Sequence, residues 1–295
     1  MFNQKFTAMK KHLYYSLLGI SMMALVGTTS CKKDDNTSVD NGTTFLSYAK
    51  EADQVDSYLD EVSNEADEVM SAAESKSLGT DSSVDQGSNG RRVRYTHRYY
   101  DQNKRIDTIK YENFVSKRQG FTRTKNGMII IEQTGGPLQD TFVRTITFSN
   151  FTINGHSIEG TKTITKIANY TFSITFEGKI TFKDGTTHTR SFTRTRTWIA
   201  GYDTPFNVWD DVYSIEGTAQ GTNRKGISYT HTITAPLIIK ASCNYIVAGK
   251  VEMIVGKNQK TITINYGEDQ NSACDGTITV TVDDETQQVQ LNANE

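Results

Sequence analysis

The stretch TFSITFE, Thr171 to Glu177, decides the fold class. Phe172, Ile174 and Phe176 fall on one side, and Thr171, Ser173, Thr175 and Glu177 on the other. Strict alternation is the mark of a strand with one dry and one wet face. Working outward, Phe142, Ile146 and Phe148 share one side, as do Ile262 and Ile264, and Ile278, Val280 and Val282. Turn signals separate these runs: Asn154-Gly155, Asp184-Gly185, Lys257-Asn258 and Asp283-Asp284. No segment after about Arg94 shows a helical period. The expected fold is all-β, an antiparallel hairpin meander. Its single apolar face must be buried, so the sheet curves into a sandwich or half-barrel. The pentad Ser157-Ile158-Glu159-Gly160-Thr161 recurs as Ser214-Ile215-Glu216-Gly217-Thr218. This echo reads as a duplicated strand module, too few in copies for a solenoid.

Upstream the period changes. Tyr48, Ala52, Val55, Leu59, Val62, Ala66, Val69 and Ala73 recur at steps of four and three. That is one N-terminal amphipathic helix, expected over residues 45–76. Its remaining surface is acidic, with Glu51, Asp53, Asp56, Asp60, Glu61, Glu65 and Asp67 among others. Three of the eight stripe residues are alanine, and self-pairing would crowd like charges round a thin core. The helix is therefore expected to dock on its own β domain, residues 91–295. Arg91, Arg92, Arg94, Arg98, Lys104 and Arg105 offer it a basic partner. Residues 77–90, rich in Ser, Gly and Asp, read as a flexible linker.

The first thirty residues are not fold. Lys10 and Lys11 precede an apolar run from Leu13 to Val26, too short for a membrane span of ~20 residues. Met9, directly before the lysines, is the expected start of translation. Gly27, Thr28, Thr29 and Ser30 are small, then comes Cys31, then Lys32-Lys33-Asp34-Asp35. This arrangement resembles a bacterial lipoprotein signal peptide (residues 1–30), with Thr28 where an aliphatic residue is usual. The charged tag is similar to the export signal of Bacteroidota-type surface lipoproteins, and the chain resembles the β-rich members of that group. The resemblance implies lipidation at Cys31, a tether over residues 31–44, a membrane partner through the lipid, and the outer face of the outer membrane. It carries no catalytic residues.

Composition excludes little else. A formal net charge of −2 gives no prior for nucleic acid. Cys243 and Cys274 flank the hairpin from Ile246 to Tyr266, and counting outward from its turn sets them opposite one another, so a disulfide is expected. Neither lies in a zinc-spaced pattern. His97, His156, His188 and His231 stand singly in strands or turns and read as surface residues. Glu159 and Glu216 read as ladder partners of basic residues. Threonine ranks such as Thr161 with Thr163 suit a wet sheet face, and the charged side chains between them argue against ice binding.

The most unusual stretch runs from Thr193 to Gly217. It holds Trp198, Tyr202 and Trp209 beside Arg194 and Arg196, a combination able to stack on sugar rings. The competing expectation is a connection that plugs the sheet with its own aromatics, its arginines paired to Asp203, Asp210 or Asp211. The functional expectation is a lipid-anchored, non-enzymatic surface protein with a binding or structural envelope role and no cofactor. The alternatives are a glycan-binding module using the aromatic loop, or a carrier of an apolar ligand. The partner is then a glycan or an envelope protein.

Overall fold

The computed structural model describes residues 41–74, 81–86, 90–99, 104–118, 121–136, 139–204, 207–269 and 273–291. One helix, α1 (Asn41–Glu74), precedes fourteen strands. These are β1 (Asp81–Gln86), β2 (Arg91–Tyr99), β3 (Lys104–Arg118), β4 (Phe121–Thr134), β5 (Val143–Ile153), β6 (His156–Ala168) and β7 (Thr171–Thr181). There follow β8 (Thr187–Ala200), β9 (Val212–Thr222), β10 (Ser228–Lys240), β11 (Ile246–Val255), β12 (Lys260–Gly267), β13 (Thr277–Val282) and β14 (Glu285–Gln290). Each strand pairs antiparallel with its neighbours in sequence, giving one open meander sheet with β1 and β14 at its edges.

The turn chemistry explains the meander. Asn154 and Gly155 both adopt positive φ (51° and 79°), as do Asp283 and Asp284 (49° and 68°). Two successive left-handed residues are what a two-residue hairpin of matching twist requires. The pentad echo also has a structural meaning. Gly160 in β6 and Gly217 in β9 adopt φ of 135° and 130°. A Cβ on either would stand 2.3 Å from a carbonyl oxygen of a paired strand, Glu177 of β7 or Thr193 of β8. The duplicated module thus places the same positive-φ glycine, tight against a neighbouring strand, at two points of the sheet.

Helix α1 begins four residues earlier than the stripe alone implies and lies against the inner face of the sheet. Tyr48, Ala52, Val55, Leu59, Val62 and Ala66 are buried there; the side chains of Val69 and Ala73 lie outside the described residues. The helix joins two apolar clusters. Val55, Leu59 and Val62 pack with Ile109, Ile129, Phe151 and Phe176, while Tyr48 and Ala52 pack with Val251, Ile264 and Val280. Each fully buried aliphatic side chain contributes roughly 1.5–3 kcal/mol.

The helix also follows β8. Glu51 meets His188, Asp56 meets Arg190 and Arg194, and Asp67 meets Arg196. From Glu51 to Asp67 a helix rises about 24 Å; from His188 to Arg196 a strand spans about 26 Å. The two run side by side, which is why so many helix acids find strand partners.

The expected basic partner proves to be mostly elsewhere. Of the predicted cluster, Arg92 reaches the helix, at Glu65 (3.0 Å). Arg91, Lys104 and Arg105 pair with Glu112, Glu132 and Asp107 of the sheet, and the side chains of Arg94 and Arg98 lie outside the described residues. Strand alternation, not clustering in sequence, decides which cations face the helix. The segment read as a linker contains edge strand β1, paired with β2 from Asp81–Thr96 to Gln86–Arg91. Cys243 and Cys274 form the expected disulfide, with Cα atoms 5.8 Å apart.

Candidate functional site

Two arginines assigned to the aromatic site belong to the helix bed. Arg190 and Arg194 both donate to Asp56 Oδ2 (2.8 and 2.9 Å). Arg196 donates to Asp67 and lies over the Tyr213 ring, 4.6 Å from its centre. Neither Arg194 nor Arg196 pairs with Asp203, Asp210 or Asp211, and neither is presented to a ligand. They sit on the side of β8 that carries buried Phe192, so they face inward. The rest of the bed is built alike. Lys125 lies between Glu61 and Glu65, Arg144 reaches Asp67, and Lys162 donates to the Leu59 carbonyl (2.9 Å) and to Ser63.

Burial alone would raise the carboxyls in this bed. Arg190 and Arg194 overcome it at Asp56 and hold that group well below the usual carboxylate range. Lys125 and Arg92 bring Glu65 down to about 2. Asp53 goes the other way: burial, with Asp56 nearby, pushes it up to about 7. Burial pushes the Lys162 ammonium down to about 8.

His188 and His231 are not the surface residues expected, and the side chain of His97 lies outside the described residues. His188 and His231 are each 1% exposed, because both face the helix side of the sheet. His188 bonds Glu51 through Nδ1 (2.6 Å) and the Tyr229 hydroxyl through Nε2 (2.7 Å). This carboxylate–imidazole–hydroxyl chain has the form of a proton relay, but Tyr229 is 3% exposed and its hydroxyl also contacts Arg190. Burial and Arg190 hold His231 well below its usual range. His156 stacks on Tyr58, 5.6 Å between centres. Glu159 pairs with Lys179 across the ladder (3.3 Å), and Glu216 is exposed opposite Thr195.

The aromatic end is built from two connections and the strand ends beside them. The short turn between β6 and β7 carries Tyr170, which holds a left-handed φ of 55°. That conformation costs a bulky L-residue roughly 1–2 kcal/mol, so the surroundings impose it. Tyr170 lies 4.6 Å from Tyr202, centre to centre, and both rings are exposed. Trp198 meets both edge-on, at 6.2 and 6.5 Å, and packs on Tyr213 beneath. Trp209 stands on a short 3-10 helix, Val208–Asp210, whose first turn Asn207 caps, and it is 47% exposed. Below, the Tyr213 hydroxyl donates to Asp211 (2.7 Å), whose carboxyl burial pushes up to about 6. Tyr202 and Trp209 thus come from one connection and Trp198 from the end of β8 that leads into it, the single stretch the sequence indicates. Tyr170 is the member that sequence reasoning missed; its signal was an aromatic in a two-residue turn.

The outer face is hydroxylated in register. Thr145, Thr163, Thr175, Thr193, Thr218 and Thr232 lie directly opposite one another across β5 to β10. Neighbouring strands rotate by ~20–25°, so this rank is not a planar lattice. Beside it an open depression of about 1020 Å³ is lined by Glu159, Lys179, Thr189, Ser191, Gln220 and Thr230. By contrast, the space between α1 and the sheet at Asp53, Asp60, Arg123 and Tyr245 holds about 40 Å³. Among the described residues no helix is long and apolar enough to cross a membrane, and no group of three or more acidic, His or Cys side chains is arranged to hold a metal. Cys31 and Lys32, Lys33, Asp34 and Asp35 lie outside the described residues.

No protein family, curated protein or solved structure matches the chain.

Proposed function

We propose that this chain is a lipid-anchored outer-membrane lipoprotein, displayed on the cell surface through Cys31 and its charged tag, with a non-catalytic binding or structural role in the envelope. The sheet acts as a half-barrel closed on α1. The observation that supports this reading is that α1 buries its apolar stripe against one face of the sheet, leaving recognition to the other. The 40 Å³ between Asp60 and Tyr245 has no room for an apolar cargo, and the larger space of about 510 Å³ on the other side of Asp53 is walled mainly by Lys50, Glu51, Gln54, Thr186 and Arg224, too polar for one, which counts against a carrier. Intact-cell protease shaving, with and without Lys32 to Asp35, tests display. Digestion of the untouched protein is expected, and its protection refutes the reading. Mass spectrometry of Cys31 tests the anchor.

A second reading is favoured by Tyr170, Tyr202 and Trp209, three exposed rings at one end of the sheet. They suit stacking on sugar rings, with a glycan as partner. A glycan array comparing the native chain with Trp209→Ala tests it.

A further inference from the structure

The meander has two rows of turns, and they differ in charge. One row joins β7 to β8, β9 to β10 and β11 to β12, and the start of α1 lies against it. Lys260 lies over the Phe45 ring (5.8 Å) and Lys225 over the Tyr48 ring (5.1 Å). The Arg224 amide donates to Glu51 Oε1 (2.8 Å). Each of the three turns carries one exposed lysine, Lys183, Lys225 and Lys257. Asp184 in this row is bound to Arg224, and the next turn along the sheet, Asp283-Asp284, is acidic, with Asp283 bound to Lys260. The opposite row carries exposed Asp203, Asp210, Glu268, Asp269 and Asp275. The molecule is therefore polarised along its strands, and its exposed aromatics belong to the acidic end.

We infer that the turn row bearing Lys183, Lys225 and Lys257 is a docking face for an anionic lipid surface, holding the body upright with its aromatic end outward. The orientation rests on the anchoring proposed at Cys31. Ten residue steps separate Cys31 from Asn41, the first residue of α1. At no more than ~3.6 Å each, they keep the helix start within about 36 Å of the anchored residue. A body on so short a tether meets the membrane repeatedly with the end that carries the helix start. Lysines at such a surface are attracted to lipid phosphates, while the acidic row is repelled.

The test uses the chain from residue 31 onward with Cys31→Ser, which carries neither lipid nor the apolar run Leu13–Val26, so its outcome is independent of lipidation. Sedimentation with vesicles of phosphatidylcholine plus phosphatidylglycerol is compared with sedimentation on phosphatidylcholine alone. Binding to the anionic vesicles alone, abolished by salt, is expected. Lys183→Gln, Lys225→Gln and Lys257→Gln together should weaken it about 100-fold, which corresponds to about 1 kcal/mol per lysine. A charge-matched control, Lys110→Gln, Lys179→Gln and Lys250→Gln, should retain it. Equal losses in both triple variants, equal binding to neutral vesicles, or displacement by inorganic phosphate at constant ionic strength overturns the proposal. Circular dichroism of each variant confirms folding. An unmodified Cys31 in the native chain would remove the anchor while leaving the vesicle result standing.

Discussion

Asp56 on the helix and Arg194 on β8 are 138 residues apart in sequence and 2.9 Å apart in space. Arg190 shares the same carboxylate oxygen. All three side chains are almost fully buried. Removing one member strands the others, because a buried charge without its counter-charge loses several kcal/mol of compensation. Asp56→Ala should destabilise by about 3–5 kcal/mol, measured as a lowered urea midpoint. Combining it with Arg190→Met and Arg194→Met should restore much of the loss, since a packed apolar cluster often replaces a buried ion pair at little cost.

The same bed sets a pH profile. Glu65 sits at about 2 against an ordinary 4.5, so its stabilisation is complete above 4.5 and is lost as the pH falls through about 2. Asp53 is raised from 3.8 to about 7, facing Asp56, Asp60, Arg123 and Tyr266. The folded chain holds that proton more tightly than the unfolded one, so stability falls as the pH rises between those values. Asp53→Asn should therefore raise the urea midpoint at about pH 8 and leave it nearly unchanged at about pH 4. Equal shifts at both would exclude titration of Asp53 as the cause.

The two pentad glycines should be far less replaceable than those in turns. Gly160→Ala or Gly217→Ala places a methyl 2.3 Å from a neighbouring carbonyl oxygen, with φ beyond what L-residues adopt. Gly226, at φ +72°, has nothing within 4 Å. We expect about 1 kcal/mol for Gly226→Ala and at least twice that for each pentad glycine, by thermal melting of the three variants.

Trp209 and Trp198 should separate recognition from stability. Trp209 is nearly half exposed, so Trp209→Ala should change stability by less than about 0.5 kcal/mol. Trp198 supports Tyr170, Tyr202 and Tyr213, and Trp198→Ala should cost about 2–3 kcal/mol. If glycans bind at this end, Trp209→Ala and Tyr202→Ala abolish array signals while melting curves stay in place.

Much of the architecture was legible because period two and hairpin turns are local properties. Phe172, Ile174 and Phe176 announce their own face, and Asn154-Gly155 its own turn. The helix stripe was equally plain, and its residues through Ala66 are buried, with Ala49 and Tyr58 beside them. The interior cations were harder to read. Arg190, Arg194 and Arg196 look like surface charges until one notes that they alternate in phase with Phe192. Their burial depends on acids at Asp56 and Asp67, more than a hundred residues earlier, and no local pattern reports such a pairing. His188 was misread for the same reason. Tyr170 joins Tyr202 only through the register of β7 with β8, and register is a property of the assembled sheet.

Helix α1 precedes all fourteen described strands in the chain. Its partners on β8 are translated more than 130 residues later. Until those strands are made the acidic segment stands without the surface that will cover it, hydrated through the charges that later become interior. Completion of the sheet is thus the event that converts a hydrated, self-repelling leader segment into a locked spindle, and any factor that delays the later strands leaves that spindle bare.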